Sequence, residues 1–322
     1  MSTLGIMKIL FVNHKRKACG IYQIGHRIGD FVGASKRYPI IYVEVDTAAG
    51  LAEAITTHQP RGIIYNFYPD TMPFIQADVT AEIAKRGIKQ CVIIHDPMEL
   101  KFIQVIESMF DAWIVHDETN PIYSAKKFMT CRPVPRAEPA PPPERFTIGS
   151  HGFGVGPWKD FDGIVEAVNN EFDEAIIRFN IGLAAFGDEK GEIAGKWLEK
   201  CRRKITKPGI ELKITHDFME TEQDLIRFLQ GNTVNMYFHK EIGHVAGPAG
   251  SADLAISSRR ALVVNDNYMY RHISMELGGY GLGDKLKDLY RNEKEVERLY
   301  RQWSPEKIVA DYDRMLDSVL GG

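Results

Sequence analysis

Residues whose types and spacing suit ligand binding follow an apolar run at 234–238, in the stretch His239–His272. A glycine-rich turn opens this stretch, and a helix-like segment at 251–258 and a second apolar run at 261–264 follow. This order predicts a βαβ crossover whose loop lies at the C-terminal end of its strand, where open α/β sheets bind ligands. Helix-start N–H groups attract anions. The carboxylate of Asp253, in the first helical turn, can accept hydrogen bonds from vicinal sugar hydroxyls.

A second glycine-rich turn precedes a predicted helix at 161–172. Gly152, Gly154 and Gly156 alternate along it, and Lys159 stands at the entry to the helix. Backbone N–H groups of such a turn can cradle phosphate oxygens, and a lysine ammonium can reach a diphosphate. A solvated lysine at a helix start is the alternative interpretation of Lys159.

Polar residues also end two predicted strands in the first half of the chain. His95 and Asp96 end the run 91–95, and His116 and Asp117 end the run 112–116. Side chains at the C-terminal ends of parallel strands lie at the ligand-binding edge. Because Asp before Pro commonly starts a turn, turn and cap roles are the alternative.

A basic loop follows the first strand. Its residues are Lys15, Arg16 and Lys17, and it ends at Gly20, before a predicted helix at 21–32. Three cations in one loop invite an anionic ligand, including a hydroxylated DNA base, although a solvated loop is the simpler interpretation. The formal net charge of −3 gives no overall signature of a nucleic-acid-binding protein.

Strands and helices alternate along both halves of the chain, which predicts an α/β protein with doubly wound parallel sheets. Apolar runs predict strands at 8–13, 40–45, 62–67, 91–95, 112–116, 147–151, 175–180, 211–215, 234–238 and 261–264. Helical spacing predicts helices at 21–32, 48–58, 74–86, 100–108, 161–172, 192–205, 222–230, 251–258, 286–303 and 305–320. The first sheet should have about five strands.

The clearest domain boundary is a proline-rich segment, with six prolines in the thirteen residues 132–144. Such a segment favours extended polyproline geometry over helix or sheet. We therefore predict an N-terminal domain at 1–131, a linker at 132–145 and a C-terminal domain at 146–304.

Composition is that of an ordinary globular protein, with 44% hydrophobic and 26% charged residues in 322. The four cysteines, Cys19, Cys91, Cys131 and Cys201, are far apart and contain no Cys-x-x-Cys, which argues against a structural zinc site or a disulfide framework. No apolar run is long enough to span a bilayer, and no signal peptide is evident. We expect a cytoplasmic protein of undetermined oligomeric state.

The segment Gly-Pro-x-Gly-Ser-Ala-Asp-Leu-Ala at 247–255, followed by Arg-Arg-Ala-Leu-Val-Val and Tyr-Arg-His, resembles the donor-binding segment of a known enzyme family. The family is that of retaining GT-B glycosyltransferases of the glycogen-synthase-like, family 4 type, of which this chain looks like a divergent member. The resemblance implies two Rossmann-like domains facing across a cleft, with the C-terminal helix 305–322 joining the first domain.

The resemblance also implies roles for individual residues. Asp253 matches the glutamate that holds the nucleotide ribose, and Glu241 is the only acid near the place of the family's other glutamate. His95 matches a histidine that contacts the donor sugar. Phe153 stands where the family has an arginine, so Lys240 is a candidate substitute. The implied site comprises His95, Lys159 and Glu241 as catalytic residues, Gly154, Gly156, Lys240, Gly247, Gly250, Ser251 and Asp253 at the donor, and Lys15, Arg16, Lys17, Gly20 and Asp96 on the acceptor side.

The resemblance implies transfer of a hexose or pentose from a nucleotide sugar, with a UDP-sugar ahead of a GDP-sugar as donor. It implies retention of anomeric configuration, no metal ion and no permanently bound cofactor. The acceptor stays open among a glycan, a lipid, a protein, a small molecule and DNA. Two alternatives remain: a degenerate scaffold that binds a nucleotide or glycan without turnover, and a sugar-nucleotide epimerase or hydrolase on the same fold.

Overall fold

The computed structural model describes residues 7–95, 100–120, 123–153, 159–182, 190–216, 219, 221–240 and 247–321. Within these residues the strands are β1 Ile9–Asn13, β2 Ile40–Glu44, β3 Gly62–Asn66, β4 Lys89–Ile93, β5 Ala112–Val115, β6 Lys127–Met129, β7 Thr147–Phe153, β8 Ala175–Gly182, β9 Ile210–Thr215, β10 Val234–Tyr237, β11 Ala261–Asn265 and β12 Gly279–Tyr280.

The helices alternate with these strands. They are α1 Gly20–Val32, α2 Ala48–His58, α3 Ala77–Lys85, α4 Leu100–Met109, α5 Phe161–Glu171, α6 Glu192–Arg203, α7 Glu222–Gln230, α8 Gly250–Ser257, α9 Arg271–Leu277, α10 Leu286–Leu289, α11 Glu293–Gln302 and α12 Pro305–Leu320, with a short 3-10 helix at Tyr268–Tyr270. Among the described residues, no helix is both long and apolar enough to cross a membrane.

The chain divides into two compact units. Unit 1 comprises Met1–Pro133 and Trp303–Gly322, and unit 2 comprises Val134–Gln302. The proline-rich segment lies mostly in unit 2, where side chains hold its backbone. Gln230 donates to the carbonyl of Glu138 (2.6 Å), and Arg260 donates to that of Ala140 (2.8 Å).

Unit 1 is built on a six-stranded parallel sheet in the order β2-β1-β3-β4-β5-β6. Its inner strands are continuous buried apolar runs, as expected for a parallel sheet that helices cover on both faces. The sheet has one strand more than predicted, because β6 has only three residues, all at least partly exposed, at the sheet edge. Such a strand has no apolar run to reveal it.

Helix α12 belongs to unit 1, where its inner face is tied to the sheet and to α1. The hydroxyl of Tyr312 donates to His116 Nε2 (2.9 Å), while His116 Nδ1 donates to the carbonyl of Cys131 (2.8 Å). Thr130 donates to Asp311 (2.7 Å). His116, considered in the sequence as a site or a turn residue, therefore has a structural role.

Unit 2 contains a second six-stranded parallel sheet, in the order β12-β11-β10-β7-β8-β9. The predicted helix at 286–303 is instead two helices, α10 and α11, because Asn292 interrupts it. The Asn292 side-chain amide accepts from Leu262 N (3.0 Å) and donates to Leu262 O (2.8 Å), so it pairs with β11 as a neighbouring strand would. Among the described residues, both sheets are layered between helices, as in Rossmann-like folds.

Candidate functional site

The sheet of unit 2 changes direction between β7 and β10. From β7 the chain builds outward through β8 and β9, and it then returns to add β10, β11 and β12 on the other side. In open α/β sheets, ligands bind outside the carboxyl ends of the strands at this switch point. Lys159 follows β7 and His239 follows β10, and the two residues form an antiparallel bridge.

The Lys159 amine lies against the backbone of Gly152, the second-to-last residue of β7. A Cβ atom at position 152 would lie 2.2 Å from Lys159 Nζ, and Gly152 has φ of 149°, which disfavours any other residue. No carboxylate of the described residues pairs with this amine. Burial lowers the pKa of Lys159 from 10.5 to about 8. The structure therefore places a weakly compensated cation at the ligand-binding edge, where the sequence predicted a diphosphate-binding lysine.

His239 is the residue that sequence reasoning missed as part of the site. Its side chain is 2% exposed, and neither ring nitrogen has a hydrogen-bond partner among the described residues. Burial, followed by the charge of Lys159, lowers the pKa of His239 to about 3, so the ring is neutral at pH 7. The available signal was a polar residue directly after a buried strand, the rule that selected His95.

Two contacts fix the position of His239 without using its ring nitrogens. The Asn265 amide accepts from His239 N (2.9 Å) and donates to His239 O (2.7 Å). The ring packs edge-on against Tyr270, with centroids 5.4 Å apart. The imidazole is therefore held in place by contacts that do not involve its ring nitrogens.

The predicted donor-binding turn reaches the same region through Tyr270, whose hydroxyl hydrogen-bonds the Ser251 side chain. Gly250 and Ser251 form the first turn of α8, and the N-cap, Ala249, supplies no side-chain cap. The uncapped N–H groups at this helix start favour an anion. Gly247, also predicted at the donor, is buried just ahead of the helix.

Asp253 is fully buried rather than presented to solvent, and its Oδ1 lies 2.9 Å from His272 Nε2. The His272 side chain is itself 2% exposed. The predicted ribose-binding carboxylate is thus engaged within the protein, in a pair that joins α8 to α9.

Lys240, the predicted substitute for the missing arginine, is neutralised by two carboxylates. Its Nζ lies 2.9 Å from Asp162 and 3.2 Å from Asp160. Asp160-Phe161-Asp162 has an Asp-x-Asp spacing that sequence reasoning passed over. Asp160 caps α5 by accepting from Gly163 N, and Asp162 also pairs with Lys200 (2.7 Å). Although burial would raise the pKa of Asp162, hydrogen bonds from Lys200 and Lys240 hold it well below its usual range.

Unit 1 has its own switch point, between β1 and β3, and two asparagines organise it. Asn13 ends β1 and Asn66 ends β3, and Asn66 Nδ2 donates to Asn13 Oδ1 (2.8 Å) and to the carbonyl of Ile21 (2.9 Å). This leaves Asn66 Oδ1 as an acceptor, and it lies 2.8 Å from His95 Nε2. The predicted histidine is therefore tied to the ligand-binding edge of its sheet.

Two histidines at this edge have opposite hydrogen-bonding character. Burial lowers the pKa of His95 to about 3, and its bond to Asn66 places the proton on Nε2, leaving a lone pair on Nδ1. His14 Nδ1 accepts from Arg16 N (3.1 Å), so the proton of the neutral ring is on Nε2. That buried Nε2 has no partner among the described residues. One ring thus offers an acceptor and the other a donor.

The predicted basic loop is exposed, with Lys15, Arg16 and Lys17 all at the surface. Lys15 N donates to Asp46 (3.0 Å) and Gln23 donates to the carbonyl of Lys17 (2.7 Å), so the loop backbone is tied down while the lysine side chains reach solvent. Gly20 is the exposed first residue of α1.

Four predicted site residues, Gly154, Gly156, Glu241 and Asp96, lie outside the described residues. Among the residues that are described, no group of three or more His, Cys, Asp or Glu side chains is placed to hold a metal ion.

Comparison with known proteins gives matches by structure alone. No protein-family model matches the sequence, and no curated protein does. The Anabaena protein HepE, solved in complex with UDP, is 12% identical with a TM-score of 0.65, covering 97% of this chain and 100% of its own. AviGT4, a glycosyltransferase involved in avilamycin A biosynthesis, is 14% identical with a TM-score of 0.60, covering 98% of each chain.

A UDP-forming α,α-trehalose-phosphate synthase from Burkholderia xenovorans, solved with glucose-6-phosphate, is also similar. It is 11% identical with a TM-score of 0.60, covering 98% of this chain and 100% of its own. At such identities the likeness concerns the fold. These structural neighbours are GT-B glycosyltransferases, and the present chain, with its two Rossmann-like parallel-sheet units, has the GT-B fold.

Proposed function

We propose that this protein is a glycosyltransferase that takes its sugar from a nucleotide-sugar donor, with a UDP-sugar as the first candidate. The observation that carries the proposal is the pair Lys159 and His239 at the switch point of the second sheet. Among the described residues, the lysine has no carboxylate partner and the buried imidazole has no hydrogen-bond partner. UDP in the HepE complex and the UDP-forming synthase support the choice of base for the donor.

Unit 2 would bind the donor. Transfer of the sugar leaves negative charge on the departing diphosphate, and the Lys159 ammonium would stabilise that charge without rearranging. The uncapped start of α8, with Gly250 and Ser251, would contribute backbone N–H groups. Asp253 would affect ribose binding indirectly, by holding α8 in position, because its own carboxylate is paired with His272. Retention of configuration, independence of metal and transfer of a hexose or pentose belong to the proposal.

Unit 1 would bind the acceptor. A sugar hydroxyl both donates and accepts hydrogen bonds, so the lone pair of His95 Nδ1 and the N–H of His14 Nε2 form a suitable environment for one. The exposed Lys15 and Lys17 favour an acceptor that carries negative charge. A phosphorylated sugar fits both features, and the glucose-6-phosphate bound by the Burkholderia synthase has this chemistry.

The first experiment is a thermal-shift and calorimetry panel of UDP-, GDP-, ADP-, TDP- and CMP-sugars against the purified protein. We expect UDP-sugars to bind and to raise the melting temperature. The donor that binds is then incubated with neutral and phosphorylated sugars, and release of UDP is measured with and without each acceptor.

Binding of a donor without turnover on any acceptor would favour the degenerate scaffold. That alternative is also consistent with Asp253 and Lys240 being paired with residues of the protein itself. UDP release without an acceptor would favour a hydrolase. If no nucleotide sugar binds, the proposed function is overturned.

A further inference from the structure

The buried ring of His239 carries two polar atoms that have no hydrogen-bond partner in the described part of the chain. A neutral imidazole has one N–H and one bare nitrogen, whichever tautomer forms. Both atoms lack partners among the described residues, and the side chain is 2% exposed, so neither donor nor acceptor is satisfied by water at the surface. Buried polar groups are almost always hydrogen-bonded, so each exception needs an explanation, and a ligand that binds there is one.

The residues around His239 fix its position through its backbone and its ring face, without hydrogen bonds to the ring nitrogens. Asn265 pairs with both backbone groups of His239, and Asn267 also donates to its carbonyl (3.3 Å). Tyr270 packs edge-on against the ring. A side chain held this firmly by apolar and backbone contacts has paid its ordering entropy before any ligand arrives.

The chemistry beside His239 selects an anion. The backbone of Lys159 forms a β-bridge with that of His239, and the Lys159 ammonium has no carboxylate partner among the described residues. A ligand with several anionic oxygens can bind the ammonium through one oxygen and the imidazole N–H through another. A nucleoside diphosphate has such oxygens, whereas a neutral sugar does not.

We infer that His239 is a ligand of the donor's diphosphate, donating a hydrogen bond from its ring to a phosphate oxygen beside Lys159. The inference rests on the proposed function, because it concerns the site where the nucleotide sugar would bind. It assigns to His239 the binding role that the sequence gave to Lys240, which is instead paired with Asp160 and Asp162.

The test compares UDP and uridine binding by calorimetry in the wild-type protein and in three variants. His239→Phe keeps the ring packing against Tyr270 but removes both nitrogens, and we expect it to weaken UDP binding about tenfold or more while uridine binding changes little. His239→Gln keeps an N–H donor and should restore part of the affinity for UDP. His26→Gln, in an exposed histidine of α1, is the control and should match the wild type.

A stability measurement separates this role from a structural one. If His239 serves only the ligand, His239→Phe without nucleotide should unfold at the same or a higher denaturant concentration, because two unsatisfied buried atoms are gone. Full UDP affinity in His239→Phe would overturn the inference and leave the proposed function standing. A wild-type protein that binds no UDP would overturn both.

Discussion

At the scale of single residues, burial sets the protonation states of the two neighbouring site residues Lys159 and His239. Burial lowers the pKa of Lys159 to about 8 and that of His239 to about 3. Lys159 is therefore the group of this pair that titrates near neutral pH, and the ring next to it stays uncharged.

Affinity for UDP should fall as the pH rises through the pKa of Lys159. The cation dominates below about pH 8 and is lost above it, so we expect the dissociation constant for UDP to rise by up to about tenfold per pH unit between pH 8 and 10. Bound diphosphate will move this transition to higher pH. Calorimetric titrations across the range measure it.

Lys159→Arg is the matched control for this pH dependence, because an arginine stays charged throughout the range. Its UDP affinity should be nearly independent of pH from 8 to 10. If the wild-type affinity is equally independent of pH, Lys159 does not provide the titrating charge.

Lys159→Ala should reduce turnover more than it reduces donor binding, since the developing charge is greatest in the transition state.

Loss of the buried Asp253 carboxylate should lower the stability of the protein more than it weakens UDP binding. Asp253→Ala leaves the buried Nε2 of His272 without the carboxylate that it contacts at 2.9 Å, and removing one partner of a buried hydrogen bond destabilises by about 1–3 kcal/mol. Denaturant unfolding measures the change. Asp288→Ala, an exposed carboxylate on α10, should stay within about 0.5 kcal/mol of the wild type. A fully stable Asp253→Ala that binds no UDP would instead support direct contact with the ribose.

At the scale of elements, close packing of a helix on a strand end builds the site of unit 1. A Cβ atom on Gly25, in α1, would lie 2.1 Å from Asn66 Nδ2. Asn66 is completely buried and carries the hydrogen bond that orients His95. The glycine thus lets the helix approach closely enough for one amide to join β1, β3, α1 and His95.

Gly25→Ala should therefore destabilise the protein, although alanine is the better helix former. The displaced Asn66 loses buried hydrogen bonds, and we expect a loss of about 1–3 kcal/mol with weaker acceptor binding. Gly195→Ala is the matched control. A Cβ there meets nothing within 4 Å, on an exposed position of α6, so we expect a gain of about 0.5–1 kcal/mol. Equal gains at both positions would show that α1 tolerates the methyl group.

The sequence predicted the elements that contain long apolar runs, but it missed an interruption between two helices. Buried parallel strands such as β1 and β3 are unbroken apolar runs, which local sequence reveals directly. The break between α10 and α11 was missed because it depends on Asn292 pairing with Leu262, a contact thirty residues away along the chain. A side chain that forms strand-like hydrogen bonds with a residue so far away in sequence produces no recognisable pattern in the local sequence.

Residue type and position alone suggest a candidate where they indicate chemistry, as with Lys159 at a glycine turn. The site was not predictable where partners decide the outcome. Asp253 and Lys240 are both charged residues in a donor-like segment, yet both are engaged by residues distant in sequence, His272 and Asp162. His239 belongs to no motif, and although it directly follows a buried strand, as His95 does, its burial without a hydrogen-bond partner among the described residues is visible only in the structure.

At the scale of the whole molecule, unit 2 is continuous in sequence and contains both Lys159 and His239. A fragment of residues 134–302 should fold and bind UDP with an affinity within about tenfold of the full chain, because a compact unit with its own core can fold alone. Circular dichroism and calorimetry of the fragment test this. A folded fragment that does not bind UDP would show that unit 1 supplies essential donor contacts.

The discontinuity of unit 1 has a consequence for the order of events during synthesis. The ribosome synthesises the residues of unit 1 up to Pro133 before those of unit 2, but α12, which supplies Tyr312 to His116 and Asp311 to Thr130, emerges only after all of unit 2. The nascent first sheet must wait, with the surface for α12 uncovered, while unit 2 completes its own core. Unit 2 is thus the first to have its whole sequence available for folding, the reverse of the usual N-terminal-first order.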